Sequence, residues 1–240
     1  MDEQSIFMMS DSPAAIEAAV ELNRMGLNFC ASCEEADALL YDVPTPAFIR
    51  DDIPRGKLII GGNLDFLDGT FPRLDLLKDP YYLAQNARIT AEAALGLILP
   101  GIGQDFSQAP VLILGWGRIG KCLDQLFRRL DFPVSVYARN HKDRAMLSAL
   151  GYTAVTKDEA RLRLPDYSCI INTAPDVIFQ EADWARASKD CILLDLASTK
   201  GILHPRANHA RGLPGRYKPK ASGKLIAQTI LRYWKEVTPV

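Results

Sequence analysis

The chain reads as an α/β protein of two lobes: a Rossmann-type doubly wound parallel sheet and a smaller, flavodoxin-like α/β lobe on its amino-terminal side. Three observations predict this. The run Gly115-Trp116-Gly117-Arg118-Ile119-Gly120 follows the apolar stretch Pro110 to Leu114 and precedes a segment with Ile119, Leu123, Leu126, Phe127 and Leu130 on one helical face. That is the order strand, tight turn, helix. Beyond it, strand-like and helix-like segments keep alternating, which right-handed crossovers fold into a parallel sheet. Before it lies a shorter alternation of the same kind, punctuated by Pro44, Pro46, Pro54 and glycines.

Taken in order, the first lobe (1–82) is expected to hold strands at 5–9, 28–31, 38–41 and 57–60 and a helix at 13–25. Gly61-Gly62-Asn63 ends a strand, and the stretch to Pro80, with Gly69, Pro72 and several aspartates, reads as irregular. A helix from about 82 to 99, closed by Pro100-Gly101, reads as a bridge within a linker at 83–109. The nucleotide-binding lobe (110–220) then carries strands at 111–115, 134–138, 153–155, 167–172 and 191–194, with helices at 118–130 and 141–150 and a short helix after the third strand. The last segment, 221–240, is a helix with Leu225, Ile226, Ile230, Tyr233 and Trp234 on its apolar face. It must cover one of the lobes.

Of the 240 residues, 48% are hydrophobic, enough for a core and too many for a disordered chain. A net charge of -1 gives no general attraction to nucleic acid. The charge is uneven, however. No carboxylate falls between Asp195 and Glu236, while Lys200, Arg206, Arg211, Arg216, Lys218, Lys220, Lys224, Arg232 and Lys235 all do, so an anionic ligand is expected there. The amino terminus is acidic, and no apolar run is long enough to span a bilayer, so the reading is cytoplasmic with no membrane contact. Five cysteines suit a reducing compartment. Cys30 and Cys33 have two residues between them, but Glu34 and Glu35 disfavour a thiolate and no second pair completes a metal set, so they read as ordinary thiols.

The glycine run has a specific chemistry. Gly115 permits the sharp turn, Gly117 lets the backbone approach a pyrophosphate, and Gly120 lets the helix pack on the strand, while the helix-start amides of Arg118, Ile119 and Gly120 attract phosphate. Sites selective for the unphosphorylated nucleotide carry an acidic residue about 20 positions on. Here the second strand ends Tyr137-Ala138-Arg139-Asn140, with Lys142 and Arg144 beyond. A guanidinium grips a 2′-phosphate bidentately, so NADP(H) is expected over NAD(H). Ligands in this architecture lie beyond the carboxyl ends of the strands, which draws in Thr173, Pro175 and Asp195.

These loops also carry a resemblance. The segments NARITAEAALGLIL, LILGWGRIGK, YAR, INTAPDVI, LLDLAS and GLPGRYKPKASGKLIAQTI, spread from about Leu76 to Leu231, resemble the A subunit of dipicolinate synthase from endospore-forming bacteria. The resemblance implies a protein that passes a hydride from a dihydrodipicolinate-type heterocycle, drawn from the lysine pathway, to NADP+, giving pyridine-2,6-dicarboxylate in sporulation. It implies three partners: a small dicarboxylate substrate, further copies of the chain and a flavoprotein-like second subunit. By position it gives Gly115, Gly117 and Gly120 to the pyrophosphate, Arg139 with Asn140 to the 2′-phosphate end, and Thr173, Pro175 and Asp195 to the nicotinamide half. Lys220 and Ser222 fall to the catalytic set, with Thr90, Arg216, Lys218 and Lys220 on the substrate. Two departures stand out: a short first lobe, and only ten residues between Gly201 and Gly212, where that family has a helix and a strand.

Two other readings stay open. A two-lobed dehydrogenase of 2-hydroxy acids would need an acid-base histidine paired to a carboxylate. His209 has no carboxylate near it in the sequence. A non-catalytic NADPH-binding protein would use the cationic tail to dock an acidic partner.

Overall fold

The computed structural model describes residues 5–46, 53–103 and 105–237, with the side chains of 236 and 237 left aside. Short apolar runs become strands, all of which pair in parallel. Strands β1 (Ser5–Met8), β2 (Asn28–Phe29), β3 (Ala38–Leu40), β4 (Leu58–Gly61) and β5 (Arg73–Asp75) form one sheet in the order β2-β1-β3-β4-β5. This is the flavodoxin-like order. Strands β6 (Val111–Leu114), β7 (Val134–Tyr137), β8 (Thr153–Val155), β9 (Cys169–Asn172), β10 (Ile192–Asp195) and β11 (Asn208–His209) form the other, in the order β11-β10-β9-β6-β7-β8. Counted from β6 it reads 6-5-4-1-2-3, the doubly wound order of dinucleotide-binding folds.

Successive strand residues point to opposite faces, so each sheet is covered on both sides. In the first sheet Ala38 and Leu40 join Ile6, Ile60 and Leu74 on one face, while Leu39 and Ile59 join Tyr41, Leu64 and Leu67 on the other. In the second, Val111, Ile113, Val134, Val136, Cys169 and Ile171 meet Leu123 and Phe127 on one face; Leu112, Leu114, Ile170 and Leu193 meet Phe179 and Trp184 on the other.

The helices are α1 (Pro13–Arg24), α2 (Pro80–Ile98), α3 (Arg118–Arg129), α4 (His141–Ala149), α5 (Lys157–Leu162), α6 (Glu181–Trp184), α7 (Leu213–Tyr217) and α8 (Pro219–Val237). Helix α1 starts where its sequence says it should: the Ser12 side chain accepts from the Ala15 amide, and Pro13 occupies the first turn. Its small residues Ala14, Ala15 and Ala18 are buried and admit α8 at very short range. A Cβ on Gly223 would lie 2.6 Å from the Ala18 amide nitrogen. Arg232 of α8 also donates to Asp79 at 2.6 Å and lies over the Tyr81 ring.

The chain divides into two compact units, Met1–Ile89 with Pro214–Val240, and Thr90–Leu213. Residues 214–220, read from sequence as the end of the nucleotide lobe, group instead with the first unit, because the segment they open into packs on α1. Two further differences concern strands. The stretch before Pro80, expected to be irregular, contains β5, and the short Gly201-to-Gly212 segment still contributes β11. Among the described residues no helix is long and apolar enough to cross a membrane.

Candidate functional site

At the carboxyl edge of the second sheet β6 and β9 lie side by side, and their connections leave in opposite directions, β6 toward β7 and β9 toward β10. The divergence opens a crevice. It is a cavity of about 630 Å³ lined by Gly115, Trp116 and Gly117 after β6, Arg139, Asn140 and Asp143 after β7, and Thr173, Pro175 and Asp176 after β9. The size suits a small-molecule or cofactor site.

The turn after β6 requires its glycines. Gly115 has φ +110°, and a Cβ there would stand 2.7 Å from Thr173 Oγ1 and 3.2 Å from the Ala174 amide nitrogen. A Cβ on Gly120 would land on the Gly115 carbonyl oxygen. The turn can therefore press against both the β9 loop and the first turn of α3. Gly117 is the N-cap of α3, and no side chain caps that helix. Its leading amides are the kind of donors that meet phosphate oxygens. Arg118 is exposed and Ile119 packs partly on the core; neither side chain lines the cavity, so their place in the site is through the backbone. Trp116 is steadied by an edge contact with Tyr152, ring centroids 6.0 Å apart.

The loop after β7 is braced from beneath. Arg144 donates to the Ala138 and Arg139 carbonyls at 2.7 Å each, and Asn140 caps α4 by accepting from the Asp143 amide at 2.7 Å. Arg139 alone projects, and its Nη1 donates to Asp176 Oδ2 at 2.9 Å. No carboxylate follows the second strand in sequence, yet one reaches its arginine from the β9 loop, 37 residues on. Thr173, expected beside a nicotinamide, donates to the Leu114 carbonyl at 3.1 Å and ties the β9 loop to the glycine turn.

Asp195 does not line this cavity. It is 2% exposed and fully engaged with protein. Oδ1 accepts from Asn172 Nδ2 at 2.9 Å and from the Ala197 amide at 3.2 Å; Oδ2 accepts from the Gly201 and Ile202 amides at 2.7 and 3.1 Å. Burial pushes its carboxyl up, but the bonds from Ile202, Asn172, Gly201 and Ala197 outweigh it and hold the group below the usual carboxylate value. His209 Nδ1 also lies 3.2 Å from Oδ2. Parallel pairing sets Asp195 opposite His209 and so gives the histidine the carboxylate that its own neighbourhood in sequence lacks.

The cationic tail divides by what each residue touches. Arg206 is spent on the Lys189, Ser188 and Cys191 carbonyls and Arg232 on Asp79. Arg216, Lys218 and Lys220 are exposed at the start of the α7–α8 segment, in the first unit, and Ser222 is buried one turn into α8. Thr90 is buried on α2, in the second unit. Cys30 Sγ lies within reach of the Ile6 and Ser32 carbonyls, and Cys33, bonded to Glu34, has its thiol pushed up by that bond, so both are held as thiols.

No protein-family model matches the chain. It is similar to the A subunit of dipicolinate synthase from Bacillus subtilis (strain 168), 27% identical over 160 residues, which are 63% of this chain and 54% of that protein. The chain thus spans about half the length of the curated relative it matches. Among solved structures, the A subunit of the Bacillus halodurans dipicolinate synthase is 19% identical with a TM-score of 0.78 over 99% of each chain. The corresponding chain of the Bacillus subtilis dipicolinate synthase is 20% identical with a TM-score of 0.79, over 99% of this chain and 97% of that one. The resemblance read from the sequence motifs therefore holds in sequence, and the fold is shared with both solved chains.

Proposed function

We propose that the chain is an NADP-dependent dehydrogenase subunit that takes a hydride from a dihydrodipicolinate-type heterocycle and releases dipicolinate. The observation that carries this reading is the cavity between the β6, β7 and β9 loops, with a glycine turn and an uncapped helix start at its floor and Arg139 at its rim. The residues fit the cofactor: Gly115, Gly117 and the first amides of α3 would hold the pyrophosphate, and Arg139 the 2′-phosphate. Bound NADP+ would supply the hydride acceptor. The likeness to the dipicolinate synthase protein of Bacillus subtilis supports the substrate and, as partner, a second, flavoprotein-like subunit. Lys220, exposed with Arg216 and Lys218, would take a substrate carboxylate, and Ser222 and Thr90 would bring hydroxyls.

The test is turnover. The purified chain, by itself or with a flavoprotein partner, is expected to reduce NADP+ with dihydrodipicolinate. Lys220→Ala is expected to raise KM about tenfold or more, the usual worth of a charge-assisted contact, and to spare NADPH affinity. Inactivity with and without the partner would remove the reading.

The His209–Asp195 pair supports a second reading, a dehydrogenase of 2-hydroxy acids in which His209, held through Nδ1, exchanges the proton at Nε2. A screen of 2-hydroxy acids with either cofactor decides it: turnover abolished by His209→Gln would favour this reading over the first.

A further inference from the structure

Arg139 and Asp176 stand on loops either side of β6, line the same cavity and meet at 2.9 Å. Both loops are anchored by bonds that leave these two side chains free. Arg144 holds the Arg139 carbonyl, and Thr199 Oγ1 donates to the Pro175 carbonyl at 2.8 Å. The side chains are 82% and 55% exposed, so the pair can open without disturbing the fold.

We propose that Asp176 is a second determinant of which dinucleotide the cavity takes: by pairing with Arg139 it competes with a 2′-phosphate for the guanidinium and lowers the preference for NADP(H) that Arg139 alone would give. The inference rests on the nucleotide reading above. A 2′-phosphate must displace Asp176 before it can take the bidentate face of Arg139. The 2′-hydroxyl of NAD(H) makes no such demand, so its binding is indifferent to the pair. An exposed ion pair limits the effect to about fivefold.

Calorimetric titration of the full chain with NADPH and with NADH tests this, using Asp176→Asn, Arg139→Met and the double variant. Asp176→Asn is expected to tighten NADPH about two- to fivefold and leave NADH unchanged; with Arg139→Met already in place, it should move NADPH much less. Unaltered ligand-free melting of Asp176→Asn confirms that the fold is intact. An unchanged NADPH-to-NADH ratio in Asp176→Asn overturns the proposal, as does an equal gain in both backgrounds. In those cases the nucleotide site itself stands. If the wild-type chain binds neither dinucleotide, this inference and the nucleotide reading fall together.

Discussion

Asp195 shows how one buried side chain sets the geometry of a sheet edge. Its folded carboxyl titrates below the usual value, so the stabilisation it provides is complete above the unfolded value, about 3.9, and is lost as pH falls through the depressed folded one. The carboxyl edge of the second sheet should therefore loosen below about pH 4. Asp195→Asn keeps the shape but turns an amide donor toward N–H groups that have lost their acceptor. Urea unfolding at pH 7 should show a loss of about 2–4 kcal/mol, with a flatter decline in acid. Equal stability of variant and wild type would contradict the role assigned to the carboxylate. Gly120→Ala poses the opposite contest. Alanine favours a helix by about 1 kcal/mol over glycine, but its Cβ falls on the Gly115 carbonyl, an overlap that costs about 1–3 kcal/mol. A lower melting temperature and weakened NADPH binding are expected; a melting temperature at or above wild type would show that the turn has room. Gly115, Gly120 and Arg139 were legible in the sequence because their roles follow from position along one strand-turn-helix unit. Asp176 and the His209–Asp195 pair were not. They meet across 37 and 14 residues through strand register, which no local pattern encodes.

At the scale of elements, the strands with apolar runs were readable and the polar edge strands were not. β6 and β9 are buried at every position, and continuous apolar runs announce such strands. β5 (Arg-Leu-Asp) and β11 (Asn-His) lie at sheet edges and are held by backbone pairing to β4 and β10 rather than by burying their own side chains. They leave almost no hydrophobic signal. The helices were legible by period, but the partner of α8 was not, because an apolar stripe does not say what it meets. The structure answers with the alanine face of α1 and the missing side chain of Gly223. Gly223→Ala would drive its methyl into the α1 backbone, 2.6 Å from the Ala18 nitrogen, and two packed helices would have to part. A loss of about 2–3 kcal/mol is expected in chemical denaturation. Ser222→Ala, a neighbouring α8 substitution that adds no bulk, serves as the comparison; equal costs for the two would show that Gly223 is not the close-approach point.

At the scale of the molecule, the first unit is discontinuous in sequence and the second is not: Thr90–Leu213 is one stretch, whereas Met1–Ile89 needs Pro214–Val240. The dependence is energetic. Leu225, Ile226 and Ile230 of α8 belong to the core that holds Ile6, Leu22, Leu40 and Ile60. At about 2 kcal/mol per large side chain they contribute about 6 kcal/mol, as much as the whole stability of many domains. The buried clusters of the second sheet draw nothing from beyond Leu213. A chain ended after Leu213 should therefore lose the first unit and keep the second. Hydrogen exchange is expected to show amides of β1, β3 and β4 unprotected while those of β6, β7, β9 and β10 keep near wild-type protection, and NADPH binding at the glycine turn should survive the truncation. Continued protection of β1, β3 and β4 would mean that α8 is dispensable to its unit. Loss of protection in β6 and β9 would mean that the second unit does not hold its fold without the first.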